Sequence, residues 1–486
     1  MPDPRVIITG KITGTIPDRI EYTLPVNGIT YFGFENSVQP DTLGNFKIFL
    51  SIEKACFIEL SNGYDAYGTV IAEPGMNYTL NINTENKKKG FVIACKSKEG
   101  QQLYNQNINR SMITGNFEEA AAEYRNDSNP DRIKESIKKR HETEIAKYRK
   151  LLSAGVISED FYNLVSADRS YFYAGAQSSV ALLNHLLSER NLNTLDVQAY
   201  SILWGEVFED YPVSDPGLMR SPWFFYFTQS YLRYKALIEN GINFNTLSEI
   251  RKQGLIHTHN INIARKYLSG TQLEYYYAAY LYYEAANKNY EKELIELFED
   301  FKDHYALSEY THFVESEIIP IITFHKKQNE APNERIHVLD SFESISSLKE
   351  AAKKLDAERV YVDVWATWCG PCKKEFTHNS ALYELLKKEG IAMLYVSVDK
   401  DEKHGKWMEM MKYYQLEGYH VRAGSKLIDD LQRLRGGDAF TIPWHILTDG
   451  DGNVLMKYAG APSAIQTLEK QLSESRHVPD GNTYAE

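Results

Sequence analysis

Cys369 and Cys372, with Gly370 and Pro371 between them and Trp368 before them, are the residues whose types and spacing could do chemistry. They follow a run of alternating Val and aromatic residues, Val360-Tyr-Val-Asp-Val-Trp365, and open the helix-like stretch Lys373-Lys-Glu-Phe376. A cysteine at a helix start has its thiolate favoured by unpaired N–H groups and by the positive end of the helix dipole. That placement activates Cys369, and two intervening residues let Cys372, one turn further in, reach the same sulfur. Gly370 allows a close turn, and Pro371 sits in the first helical turn, where its missing N–H costs nothing. The spacing describes a nucleophile and its resolving thiol. The bland readings are a half zinc site, which needs a second pair of Cys or His ligands at comparable spacing, and a structural disulfide. The only other cysteines, Cys56 and Cys95, lie far upstream.

Trp365-Ala-Thr-Trp-Cys-Gly-Pro-Cys-Lys-Lys-Glu-Phe376, with its two tryptophans, its Cys-Gly-Pro-Cys core and its basic helix start, resembles the thioredoxin superfamily. The order of the segments that follow resembles the TlpA/ResA-like cell-envelope branch, over residues 330 to 478. Asp363, an acid in a run of Val, Tyr and Trp, is costly to bury, which implies a raised pKa or a specific task; alternation that turns it to solvent is the competing reading. Six residues before Cys369, it matches the family's buried acid, and the resemblance implies that it takes the Cys372 proton through water. The resemblance also implies that Pro443, at the start of Thr441-Ile-Pro-Trp-His-Ile-Leu447, is cis and faces the cysteine pair. Ile442, just before it, would offer backbone groups to a substrate. Trp365 would pack, and Trp368 would form a lip beside an exposed sulfur. One departure stands out: Thr377 occupies the position where the family usually has a helix-kinking proline, so a straighter active-site helix is expected.

These readings together predict thiol–disulfide exchange. Cys369 attacks a substrate disulfide, the mixed disulfide lies across Pro443, and Cys372, deprotonated with help from Asp363, resolves it. Gly-Pro between the cysteines and Ile before Pro443 resemble the reducing thioredoxins, so a disulfide reductase is expected rather than an oxidase or isomerase. Its partners would be a protein disulfide and a thiol electron donor, with no cofactor. A binding or scaffold protein with a redox-sensing cysteine pair is the alternative from another class. A peroxiredoxin-type peroxidase is disfavoured because Ala366-Thr-Trp-Cys369 has no proline in the Pro-x-x-x-Thr-x-x-Cys position.

These residues must be positioned by a chain of 486 residues, long enough for about three domains. Residues 1–96 read as an all-β sandwich: Val6–Thr13, Arg19–Leu24, Phe46–Ile52, Cys56–Leu60, Gly68–Ala72 and Tyr78–Ile82 are short and β-branched or aromatic, with turn residues between them. The Asp41-x-x-Gly-x-Phe46 hairpin and the Pro74-Gly75 turn resemble the sandwich modules that precede envelope thioredoxin-like domains. Residues 97–324 carry apolar stripes at helical spacing and predict an all-α domain. Its aromatic runs, Trp223–Phe227 and Tyr275–Tyr283, are expected to be core rather than a binding face. A polar linker follows at 325–338. The α/β thioredoxin-like domain, a mixed central sheet flanked by helices, is expected at 339–486, with a helix at Ser347–Leu355, strands at Arg359–Trp365 and Ile391–Val398, and a closing helix at Ser463–Leu472.

A net charge of −12 with no dense basic stripe argues against nucleic acid and anionic membrane surfaces. No apolar run reaches the 18 or so residues of a membrane helix, so an integral membrane protein is not expected. His257-Thr-His259 lacks further ligands at metal-site spacing, and no metal is expected. The N-terminus shows no signal-peptide pattern; by the resemblance, a periplasmic or envelope protein whose export or anchoring segment is missing is expected, with a cytosolic protein as runner-up. Cys56 and Cys95 read as buried core thiols that could pair only if their strands were neighbours.

Overall fold

The computed structural model describes residues 5–26, 29–62, 66–86, 90–107, 124, 127, 129–189, 196–215, 217–331, 333–437 and 441–475. It divides into two compact units, residues 1–283 with 296–316, and residues 284–295 with 317–486.

The first unit begins with eight strands: β1 Arg5–Thr13, β2 Ile20–Val26, β3 Ile29–Val38, β4 Asn45–Ser51, β5 Cys56–Ser61, β6 Ala66–Ala72, β7 Asn77–Asn83 and β8 Phe91–Ala94. They form two four-stranded sheets, ordered β4-β1-β7-β8 and β3-β2-β5-β6. Alternation decides what faces inward: along β7, Tyr78, Leu80 and Ile82 are buried while the residues between them are exposed. With Val6 and Ile8 they meet Ile58, Leu60 and Val70 of the other sheet in one apolar core. β3 had no counterpart among the expected strands, and β8 ends just before Cys95, in the strand-like run expected around that residue. Cys56 is buried as expected of a core thiol, whereas Cys95 is only half-buried.

Helix α1, Lys98–Asn107, closes the open edge of β6. Gln101 exchanges two hydrogen bonds with the Ile71 backbone, at 2.9 and 2.7 Å, and Asn105, one turn on, does the same at Thr69, at 2.9 and 2.8 Å. Side-chain amides thus replace a neighbouring strand and block further pairing. The helices that follow are α2 Pro130–Ser153, α3 Glu159–Glu189, α4 Val197–Asp210, α5 Phe224–Tyr234, α6 Phe244–Lys252, α7 Ile256–Tyr267, α8 Gly270–Ala286, α9 Glu293–His304 and α10 Thr311–Lys327. Asn129 caps α2 by accepting from the Arg132 N–H, with Pro130 in the first turn. The aromatic runs are core: Phe224, Phe225, Phe227 and Tyr275–Tyr277 are buried, and Phe224 meets Tyr275 at 5.0 Å between ring centroids. His257 Nδ1 lies 2.9 Å from the Tyr280 hydroxyl. Among the described residues no helix is long and apolar enough to cross a membrane.

The second unit holds a six-stranded mixed sheet ordered β14-β13-β10-β11-β12-β9, from β9 Ile336–Val338, β10 Arg359–Trp365, β11 Ile391–Ser397, β12 Gly418–Arg422, β13 Trp444–Asp449 and β14 Val454–Met456. Its helices are α11 Leu348–Lys353, α12 Gly370–Glu375, α13 Asn379–Glu389, α14 His404–Tyr414, α15 Ser425–Arg435 and α16 Ile465–Ser475. β10 sits inside the sheet, parallel to β11 and antiparallel to β13, and its near-continuous burial explains why its sequence is apolar throughout. The segment 284–295 belongs to this unit: Tyr290 stacks on Phe324 at 4.5 Å and hydrogen-bonds the Tyr414 hydroxyl, and His325 Nε2 meets its carbonyl oxygen at 2.9 Å.

Candidate functional site

β10 ends at Trp365, a tight loop follows, and α12 starts at Gly370. Asp399, just past the end of β11, fixes that loop: its carboxylate accepts from the Thr367 N–H at 2.8 Å and hydroxyl at 2.7 Å, and from Ser397 Oγ at 2.7 Å. The Val398 N–H reaches the Trp365 carbonyl at 2.9 Å, and the Cys369 N–H that of Ala366 at 3.0 Å. The strand end and the loop therefore deliver Cys369 to the N-cap position of α12.

Cys369 and Cys372 are joined by a disulfide, with their Cα atoms 5.3 Å apart. The Cys372 N–H points at Cys369 Sγ, 3.1 Å away, so sulfur takes the place that a capping oxygen usually holds. Negative charge on this atom would meet a helix N–H. Cys369 is 4 % exposed and Cys372 0 %, so the first sulfur is the more accessible but far less open than expected. Trp368, 61 % exposed, stands beside it, and Trp365 is buried, with its indole edge-on to Phe376 at 5.2 Å.

The helix after the cysteines is not straight. α12 stops at Glu375, a 3-10 turn covers Phe376–His378, and α13 begins at Asn379. The expectation of an uninterrupted helix drawn from Thr377 is thereby overturned: the Thr377 hydroxyl bonds back to the Lys374 carbonyl at 2.8 Å, and the α-helix is broken without a proline.

Asp363 is 1 % exposed on β10, directly opposite His445 of β13. Burial first, then the charge of Glu375, raises its pKa to about 8. His445 Nε2 lies 3.6 Å from Asp363 Oδ1, and burial lowers its pKa to about 4. Near neutral pH the two are therefore mainly a carboxyl and a neutral imidazole. Glu375, buried on α12 one turn beyond Cys372, accepts from the Ser463 N–H and hydroxyl, both at 2.9 Å. Lys373, fully buried, gives its ammonium to three carbonyls, of Asn287 at 2.9 Å, Lys288 at 3.1 Å and Thr367 at 3.0 Å.

The Ile442–Pro443 peptide bond is cis. The pairing of Val364 with Trp444 places Pro443 level with the end of β10, beside the loop that carries the cysteines. Ile442 and Pro443 are half-buried. Trp444 bonds the Lys457 carbonyl through Nε1 at 2.7 Å and anchors this segment to the chain after β14. One end of the sheet thus gathers Cys369, Cys372, Trp368, Gly370, Pro371, Ile442 and Pro443, with Asp363 below. Reasoning from sequence missed Glu375, Lys373, Asp399 and His445. Only Asp399 left a signal, as an acid following an apolar strand two residues after a serine.

Residues 331–470 match the model of the AhpC/TSA family. Over 123 residues the chain is 29 % identical to thiol-disulfide oxidoreductase ResA of Bacillus cereus, covering 25 % of this chain and 66 % of that protein, just short of two thirds of its length. It is 41 % identical over 61 residues to thioredoxin-2 of Dictyostelium discoideum, 13 % of this chain and 65 % of that one. A solution structure of a thiol:disulfide interchange protein from a Bacteroides species is 23 % identical over 25 % of this chain and 77 % of its own, with a TM-score of 0.22. The C-terminal region is a TlpA/ResA-like member of the thioredoxin superfamily.

Proposed function

We propose that the protein is a thiol–disulfide oxidoreductase that reduces protein disulfides, and that its residues 339–486 do the chemistry. The carrying observation is the Cys372 N–H aimed at Cys369 Sγ at a helix start, with a buried acid on the neighbouring strand. The Cys369 thiolate attacks a substrate sulfur, forming a mixed disulfide and expelling the other substrate sulfur as a thiolate. Cys372 loses its proton to Asp363 and attacks Cys369, re-forming the internal disulfide and releasing the second thiol. The backbone of Ile442 beside Pro443 receives the substrate chain, while Trp368 and the Gly370-Pro371 turn flank the sulfur.

Electrostatics favour the reducing direction. A thiol pair becomes a strong oxidant when its reduced form is stabilised. Here Glu375 lies one turn from Cys372, Asp363 is buried nearby, and the Lys373 ammonium is turned toward backbone carbonyls. Little besides helix N–H groups supports a thiolate, so the reduced form is a ready electron donor. An envelope location follows the branch that the C-terminal region resembles.

The test is the reduction potential of the Cys369/Cys372 pair, equilibrated in dithiothreitol and glutathione buffers and read by thiol labelling. A value near the thioredoxin range of about −270 mV supports the reductase, and one near about −120 mV makes it an oxidant. A pair that does not cycle removes the enzymatic reading.

A further inference from the structure

The Asp363 carboxyl oxygens and His445 Nε2 are buried and have no hydrogen-bond partner among the described residues. The two side chains nonetheless face each other across the β10–β13 ladder, 3.6 Å apart, just beyond hydrogen-bond reach. The imidazole is held in that position from other directions. It stacks on Tyr361 at 5.8 Å and 22°, and the backbone of His445 is fixed by the Ala459 N–H donating to its carbonyl at 3.0 Å. A ring nitrogen so placed is desolvated and gains no bond in the disulfide state, which is the signature of a group whose partner is made in another state.

We propose that His445 is the positioning residue for the proton that leaves Cys372: its Nε2–H closes onto Asp363 Oδ1 when that group is a carboxylate and so keeps the carboxylate available as a base. This inference rests on the reading of Asp363 given above. In the step concerned, the Cys372 Sγ–H proton passes to the Asp363 carboxylate, directly or through a water. The freed sulfur forms its bond to Cys369, and the Cys369–substrate bond breaks with its electron pair leaving on the substrate sulfur. As the carboxylate takes the proton, its bond from His445 relaxes to the distance seen in the disulfide form. A bond to a charged acceptor is about twice as strong as one to a neutral group, so a neutral imidazole favours the carboxylate over the carboxyl. The other titratable groups facing Asp363 are Glu375 from α12, Tyr361 on β10 and Tyr395 opposite on β11. Glu375 opposes ionisation, and the burial-raised tyrosines remain neutral, which leaves His445 as the neighbour that assists it.

The full reduced chain is mixed with one equivalent of the aromatic disulfide dithiobis(nitrobenzoate). Attack by Cys369 releases a first coloured thiolate, and resolution by Cys372 a second. In His445→Phe, which keeps the ring on Tyr361, the first phase stays unchanged, and the pH midpoint of the second rises by about one unit, making it about tenfold slower near pH 7. His445→Gln, which can still donate, returns to within about threefold of the parent. An unshifted second phase in His445→Phe, alongside a slowed second phase in Asp363→Asn, overturns the role of His445 and leaves that of Asp363 standing. An unaffected Asp363→Asn overturns both. Should His445→Phe not fold, the unsubstituted protein decides with nitrogen-labelled histidine: the Nε2 resonance must move with the Asp363 titration, and a resonance that ignores it refutes the proposal.

Discussion

Lys373 Nζ lies 3.0 Å from the carbonyl oxygen of Thr367, two residues before Cys369, and this bond ties the helix after the cysteines to the loop before them. The same ammonium holds the turn at Asn287 and Lys288, so its three protons are all spent on backbone oxygens.

Lys373→Met is expected to leave three carbonyls without their donor while keeping the apolar stem. Unsatisfied buried groups cost about 1–3 kcal/mol each before relaxation, so a loss of about 3 kcal/mol is expected. Lys373→Arg does not restore it, because a planar guanidinium cannot direct its donors along these three lines. Urea denaturation of the oxidised protein measures both.

Asp363→Asn is expected to stabilise the oxidised protein in a pH-dependent way. With a folded pKa of about 8 against an unfolded value near 3.8, the folded state holds a proton that the unfolded state has lost between those values. Stability therefore falls as pH rises from about 4 to about 8, by up to roughly 6 kcal/mol for a fully buried group. Asparagine carries no such titration. Its advantage should be absent near pH 4, largest above pH 8, and visible in the denaturation midpoint at each pH.

How far these residues could be read beforehand depended on whether their partners were local. Arg359–Trp365 is a strand because each residue in it is apolar or aromatic except Arg359 and Asp363, and Cys-Gly-Pro-Cys carries its own turn and helix start. Lys373 and Glu375 look like solvated helix positions in Lys-Lys-Glu. They are buried because carbonyls 86 and 85 residues before Lys373, and Ser463, 88 residues after Glu375, come to meet them. His445 gains meaning only from the register that sets it against Asp363. β9 and β12 escaped notice since their parallel pairing depends on non-local neighbours, and His420 within β12 disguises a buried strand.

Asp399→Ala is expected to loosen the loop without touching the sulfurs. It removes the acceptor for the Thr367 N–H and hydroxyl and for Ser397, which costs about 2–4 kcal/mol for a hydrogen-bonded buried carboxylate. The first phase of the dithiobis(nitrobenzoate) reaction should slow, since Cys369 is then held less firmly at the helix start. A first phase equal to the parent's at full folding would assign Asp399 to stability alone.

Thr377→Pro tests why the helix bends. Proline fixes φ near −65°, and Phe376 just before the position has φ −59° while His378 just after it is at −100°, in a segment that has left the α-helix. The substitution forfeits the Thr377 hydroxyl bond to Lys374 but reduces the freedom of the unfolded chain, which contributes about 0.4–1 kcal/mol where the native backbone accepts the ring. The two nearly cancel, and a change within about 1 kcal/mol is expected, with unaltered thiol kinetics. A loss above about 3 kcal/mol, the cost of proline in a helix interior, would mean that the bend depends on the threonine and its N–H rather than on the packing of Phe376 against Trp365 and Tyr414.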